Sequence, residues 1–461
     1  MQRRQLEWAV SALLTLATPL FAASPVDPLR EQLKQCSQHD NAQGAGVLCG
    51  VLSQAVNGVK QFGSNRHALR EWEELLIDVQ VEVSRLRSPE AVGIFVMGLQ
   101  RMDGMSQTTI LQGLLTHPAS SELDEAVMKL LRSTRDFQVQ VACMELLSTH
   151  KYTAATEEIL RHLKPEVIVA LQVASARALA RLGDPKAMEP LIEYLRSMKG
   201  SRMRFEATAA LRAISGQEFN QDAATWQGWW DKQKAGFTAK PGEPVFNYET
   251  LNTGKTEEEL SYYEIPLVEN RIVFVLDVSG SMQLGGNPNR LDRARTEMKE
   301  LINRLPEKTL FNIITYSNAT KRWMRDPVMV QATAHNKKQA QAFLDDMRPG
   351  GGTETTWALE EALREISLIN GVETIFLISD GAPMPMRHWM PTVKAFSDLP
   401  PSNDAIRRRI KFINSTLKVR IHTIGIYTRA AGDPTEQGQE SMKSFLEGIA
   451  KDNDGVYKEV N

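Results

Sequence analysis

The stretch Arg271-Ile-Val-Phe-Val-Leu-Asp277-Val-Ser279-Gly280-Ser281-Met282 constrains this chain more than any other. Its apolar part has no alternating polar face, so it reads as a strand buried on both sides. Where that strand leaves its sheet, Asp277, Ser279 and Ser281 offer only oxygen donors. Such a set suits a hard divalent cation such as Mg²⁺ better than zinc or copper.

At 461 residues the chain predicts two or more domains. Its 54 basic and 56 acidic residues leave a net charge of −2, which argues against a nucleic-acid footprint or a basic membrane-binding surface. Residues 1–23 read as a secretory signal: Arg3 and Arg4 precede an apolar stretch from Trp8 that closes on Leu20-Phe21-Ala22-Ala23. The expected location is therefore outside the cytoplasm, in a periplasm, cell envelope or the medium. An uncleaved membrane anchor is the alternative reading, and no later segment is apolar and long enough to span a bilayer. In an exported chain Cys36 and Cys49 could close a small disulfide loop, whereas Cys143, among Val141, Ala142, Met144 and Leu146, reads as a buried apolar residue. The scattered histidines and the lack of Cys-x-x-Cys or His-Glu-x-x-His leave a zinc site unsupported.

Residues 24–64 show weak periodicity and their structure stays open. Residues 65–236 are helical in period and repeat themselves at a spacing of roughly 32 residues. Val141-Ala-Cys143-Met-Glu-Leu146-Leu147, Ala174-Ser-Ala176-Arg-Ala178-Leu179 and Phe205-Glu-Ala207-Thr-Ala209-Ala210-Leu211 open successive helix pairs. With the Leu182-Gly183-Asp184-Pro185 turn and the closing Trp226-Gln-Gly-Trp229-Trp230, this segment resembles HEAT-like repeats. The tryptophans suit the end cap that such a solenoid needs; an aromatic ligand pocket is the competing reading.

Residues 237–262 read as a polar linker, with Pro241, Gly242 and Pro244 breaking the helical pattern. From 263 to 461 strand-like and helix-like patches alternate, with strands expected at 271–278, 309–316, 373–378, 419–426 and 455–459. A short edge strand is expected at 321–324. That order predicts a doubly wound, Rossmann-like α/β sheet with helices on both faces.

Ligands of such sheets gather beyond the carboxyl ends of the strands. Three segments bring oxygens there: Asp277-x-Ser279-x-Ser281, Gly350-Gly351-Gly352-Thr353-Glu354-Thr355, and Phe376-Leu-Ile378-Ser379-Asp380-Gly381. In this order they make residues 271–461 resemble a von Willebrand factor A domain with a metal-ion-dependent adhesion site. The resemblance implies that Ser279, Ser281 and Thr353 reach a Mg²⁺ ion through their hydroxyls, with Mn²⁺ or Ca²⁺ as other possible ions. Asp277 and Asp380 would hold it directly or through water and orient the hydroxyls. It also implies an open coordination position, completed by an acidic side chain of a protein partner. The insert 283–290 and the loop 382–391, with Met384, Met386, Trp389 and Met390, would overhang that ion.

The fold class expected is thus a HEAT-like all-α solenoid followed by an α/β von Willebrand A domain, in an exported, non-enzymatic binding protein with no nucleic-acid partner. A second protein contact can lie on the repeats. Two rivals remain. A metal-dependent hydrolase would use the same ion to activate water with Glu354 as base; a repeat-based scaffold would use the α/β domain as regulator. Asn252-Thr253-Gly254-Lys255-Thr256 copies only the end of a phosphate-binding loop, because Glu249 stands where its first glycine belongs. Asp452-Asn453-Asp454-Gly455 is an incomplete calcium loop, with Ala450 at its first ligand position.

Overall fold

The computed structural model describes residues 24–36, 38–63, 65–198, 202–239, 260–381, 402–427 and 436–460. The expected signal, most of the expected linker, Asn252–Thr256 and the loop 382–391 lie outside them. The chain forms two compact units that divide between His117 and Pro118, inside the helical span.

The first unit contains α1 (Asp27–Cys36), α2 (Ala42–Phe62), α3 (Arg66–Arg85), α4 (Pro89–Arg101) and α5 (Gly104–Leu114). The segment whose sequence left its structure open, 24–64, is therefore a helix pair. Asn41 starts α2 by accepting hydrogen bonds from the N–H groups of Gln43 and Gly44. Leu48, Val51, Leu52, Ala55 and Val56 then form its buried stripe. Cys36, Cys49 and Cys143 are free thiols, so the possible Cys36–Cys49 bridge is not formed; Cys143 is buried as expected.

The second unit begins with α6 (Ser121–Ser133), α7 (Phe137–Thr149), α8 (Thr156–Leu160), α9 (Val169–Leu182), α10 (Met188–Ser197), α11 (Arg202–Ser215) and α12 (Ala223–Gln233). The Leu-Gly-Asp-Pro turn has a local cause. Gly183 ends α9 at φ +66°, Asp184 accepts from the Lys186 N–H, and Pro185 opens the next turn. At α12, Trp226 is fully buried and meets Phe219 edge to face, while Trp229 and Trp230 pack edge to face on Phe237. That packing suits a cap on the helical stack.

The chain continues through a small hairpin, β1 (Ser261–Tyr262) and β2 (Ile265–Pro266), into a seven-stranded sheet. Its strands are β3 (Arg271–Asp277), β4 (Leu310–Tyr316), β5 (Thr320–Arg322), β6 (Val330–Gln331), β7 (Thr374–Ser379), β8 (Arg420–Ile426) and β9 (Tyr457–Val460). The order is β5-β4-β3-β7-β8-β9, with β6 also on β4; β5 and β6 run antiparallel and the rest parallel. Alternation along β3 feeds two cores. Ile272, Phe274 and Leu276 pack with Leu291 and Met298 of α13 (Arg290–Arg304) and Leu344 of α14 (Ala334–Asp345). Val273 and Val275 face Leu359 of α15 (Thr355–Glu360), Ile410 of α16 (Asn403–Asn414) and Phe445 of α17 (Glu436–Asp452). This is the doubly wound sheet, helices on both faces, that the sequence pattern predicts.

Buried charges join the repeat helices to the edge of the sheet where the parallel strands begin. Arg202 of α11 donates to the carbonyls of Glu373 (2.8 Å) and Lys418 (2.7 Å), just before β7 and β8, and to Glu206 Oε1 (3.1 Å). Arg177 of α9 grips both oxygens of Glu206 at 3.1 Å and reaches Asp454 Oδ2 at 2.6 Å. Arg420 at the start of β8 donates to Glu269 at 2.9 Å. Burial alone would raise the Glu206 carboxyl, but the Arg177 and Arg202 guanidinia hold it below the usual range. Asp454 is committed to Arg177, and Asn453 to Ile449 and Asn414, so the calcium-loop resemblance is structural.

Candidate functional site

At the opposite, carboxyl end of the strands, β3 lies between β4 and β7, and the chain leaves it in both directions. Such a switch point opens a crevice beyond the strand ends. Asp277 sits there with no exposed surface and with both oxygens engaged. Oδ1 accepts from the Ser279 N–H at 2.8 Å; Oδ2 accepts from Ser379 Oγ at 2.7 Å and from Tyr316 OH at 3.4 Å. The carboxylate therefore fixes the turn that carries the serines. Ser279 Oγ and Ser281 Oγ lie 3.0 Å apart, and Ser281 Oγ donates to Asp380 Oδ1 at 2.9 Å. Four of the five expected residues thus form one connected cluster.

The fifth, Thr353, arrives on the glycine loop. Gly350 N–H donates to Val278 C=O (2.8 Å) and Gly280 N–H to Gly351 C=O (3.1 Å), which seats the loop against the serine turn. Gly351 has φ +86°, and a Cβ there would lie 2.8 Å from the Asn318 amide, whose oxygen accepts from Gly352 N–H. Thr353 is buried two residues further on, but its hydroxyl is not one of the links that join the other four. The Glu354 N–H donates to Ser317 C=O.

Three partners escaped the sequence reading. Ser379 and Tyr316 stand at the ends of β7 and β4 and hold Asp277 from either side. Arg290 donates to Asp380 Oδ2 at 2.9 Å in a pair whose side chains are 4% and 2% exposed. Ser379 could be read from the strand parity beside Asp380. Arg290 could be read as a cation at the first position of a helix, where the dipole opposes it.

Burial and the nearby Asp380 charge push the Asp277 carboxyl up to about 7. Burial also raises Asp380, with Arg290 pulling it back. The Asp380 charge disfavours that of Asp277, and the oxygen-only donors there fit a hard divalent ion. Among the described residues no group of three or more His, Cys, Asp and Glu side chains comes together as a metal site. This cluster instead relies on two carboxylates and on hydroxyls.

Residues 272–382 match the family model of the von Willebrand factor type A domain, and residues 124–212 match HEAT repeats. The C-terminal half carries a von Willebrand A domain. In sequence this chain is similar to the inter-alpha-trypsin inhibitor heavy chain H2 of Homo sapiens, at 28% identity over 169 residues, 32% of this chain and 17% of that protein. The H2 chain of Sus scrofa is 29% identical over 126 residues, 26% of this chain and 13% of that protein. The chain thus spans less than a fifth of the length of these curated relatives. Among solved structures, a von Willebrand factor type A protein from Catenulispora acidiphila is similar at TM-score 0.32 and 18% identity, over 42% of this chain and 40% of that one. The pilus adhesin SpaC of Lactobacillus rhamnosus GG is similar at TM-score 0.32 and 18% identity, over 42% and 29%. vWA domains and HEAT repeats are characteristically non-catalytic adhesion and scaffold modules.

Proposed function

We propose that this is an exported binding protein whose vWA domain holds Mg²⁺ at Asp277, Ser279, Ser281, Thr353 and Asp380 and captures an acidic side chain of a protein partner. The observation that carries the reading is the linked cluster Asp277–Ser279–Ser281–Asp380 at the switch point of the sheet. Asp277 orients the serine turn; Ser279 and Ser281 present hydroxyl oxygens; the Gly350–Gly352 loop, seated against that turn, would bring the Thr353 hydroxyl to the ion. A bound Mg²⁺ would supply an open position for a carboxylate oxygen, since this ion keeps exchangeable waters. An acidic ligand there gains a charge-assisted contact. The helical repeats offer a second protein surface.

The test is a pull-down from envelope extract with the full chain, in Mg²⁺ and in EDTA, with wild type and Asp277→Ala. Capture of a partner that is lost both in EDTA and in the variant supports the reading. Capture that survives both places binding on the repeats, and metal-dependent ester hydrolysis abolished by Asp277→Ala makes the protein a hydrolase instead.

A further inference from the structure

Asp380 shows its two oxygens to different groups. Oδ1 accepts from Ser281, inside the cluster, while Oδ2 accepts from Arg290, outside it. Arg290 is the first residue of α13 and is held from both sides. Its own N–H donates to Leu284 C=O at 3.0 Å, and the preceding Asn289 caps the helix by accepting from the Asp292 N–H. A guanidinium at a helix N-terminus works against the dipole, so local helix stability does not account for its presence. Burial makes its charge count, because water screens it little.

We propose that Arg290 is a charge-setting residue of the metal centre, one that weakens the hold on the cation in order to strengthen the hold of the loaded centre on an anionic ligand. The inference rests on the metal-site reading above. Without Arg290, Asp277 and Asp380 would together neutralise a divalent ion. With Arg290 on Asp380, part of that negative charge is already offset, and the loaded centre stays more positive than the two carboxylates alone would leave it. An incoming carboxylate then meets a cation that is still electron-poor, while a neutral oxygen ligand gains far less. Arginine suits the task because its charge is permanent and its hydration is weak enough for a buried pair.

The experiment measures Mn²⁺ affinity of the full chain by calorimetry, alone and with acetate or acetamide added, for wild type, Arg290→Gln and Arg290→Lys. In wild type, acetate should tighten Mn²⁺ binding severalfold and acetamide should not. Arg290→Gln should bind Mn²⁺ roughly tenfold more tightly and lose most of the acetate effect, on the order of one removed charge interaction in a partly screened site. Arg290→Lys should restore the wild-type order.

A purely structural arginine gives another pattern: Arg290→Gln, melting like wild type in EDTA, would bind Mn²⁺ equally or less tightly. That result overturns the proposal and leaves the metal site standing. Should Arg290→Gln fail to fold, the wild-type comparison decides, since equal effects of acetate and acetamide overturn the proposal. If wild type binds no Mn²⁺ and Asp277→Ala changes nothing, the metal-site reading itself fails.

Discussion

Asp277 shows how one side chain can shape a site from beneath: its Oδ1 accepts from the Ser279 N–H, and its Oδ2 from Ser379 and Tyr316. Its carboxyl is raised from 3.8 to about 7, by burial first and by Asp380 second. The folded state therefore binds this proton more tightly than the unfolded state does. The associated stability is present below about pH 4 and is lost as pH rises through 7. The metal-free protein in EDTA should show a higher Tm contribution from this group at pH 5 than at pH 8, and Mg²⁺ should raise Tm more at pH 8. A Mg²⁺ effect that ignores pH would count against a cation relieving these carboxylates. Gly351→Ala places a Cβ against Asn318 at φ +86°, so a loss of about 1–2 kcal/mol is expected in urea unfolding. Asp277, Ser279 and Ser281 were legible because they share one strand-end motif, and Asp380 because it closes another. Tyr316 was not, and Arg290 only as a cation at a helix start, because their contacts exist only once β3, β4, β7 and α13 are side by side.

Among elements, legibility followed length and cause. The long strands β3, β4, β7 and β8 are all where the sequence pattern puts them, β3 and β7 on continuous apolar runs, β4 and β8 on apolar runs interrupted by Asn312 and by His422 and Thr423. The two-residue strands β1, β2 and β6 carry no period to detect, and they exist only through a hairpin or through β4. Residues 42–62 form one long helix despite several glycines, because burial overrides weak propensity. One of those glycines, Gly58, lies directly under the Trp72 ring, where a Cβ would overlap it. The α12 end shows the converse, a short helix given weight by its aromatics. Trp226 is wholly buried and its Nε1 donates to Asn220 C=O at 2.8 Å. Trp226→Ala should cost about 3–5 kcal/mol in chemical denaturation. A ligand-pocket role predicts a much smaller loss.

For the whole molecule, the division at His117–Pro118 matters more than the polar stretch that reads as a linker. Helical repeats and vWA domain after Pro118 share ion pairs, Arg420 of β8 with the fully buried Glu206 of α11 at 3.8 Å and Arg177 of α9 with Asp454 at 2.6 Å. Sequence patterns do not reveal this junction, since Arg177, Arg202, Glu206 and Arg420 resemble ordinary charges within helices and at a strand start. Calorimetry of residues 118–461 should show one cooperative transition instead of two. Arg202→Ala should lower stability by about 3–5 kcal/mol, because Glu206 then loses a buried partner. Fragment 260–461 alone should melt well below the intact chain, and equal melting would show that the junction contributes nothing.

Because the guanidinium contacts sit just before β7 and β8, and the proposed ligand position sits beyond the far ends of β3 and β7, the sheet has two differently loaded rims. Tension applied by a tethered partner would run lengthwise down the central parallel strands. Their hydrogen-bond ladders would then bear it together in shear rather than opening one by one. A domain gripped at one rim and pulled at the other is arranged to hold under force.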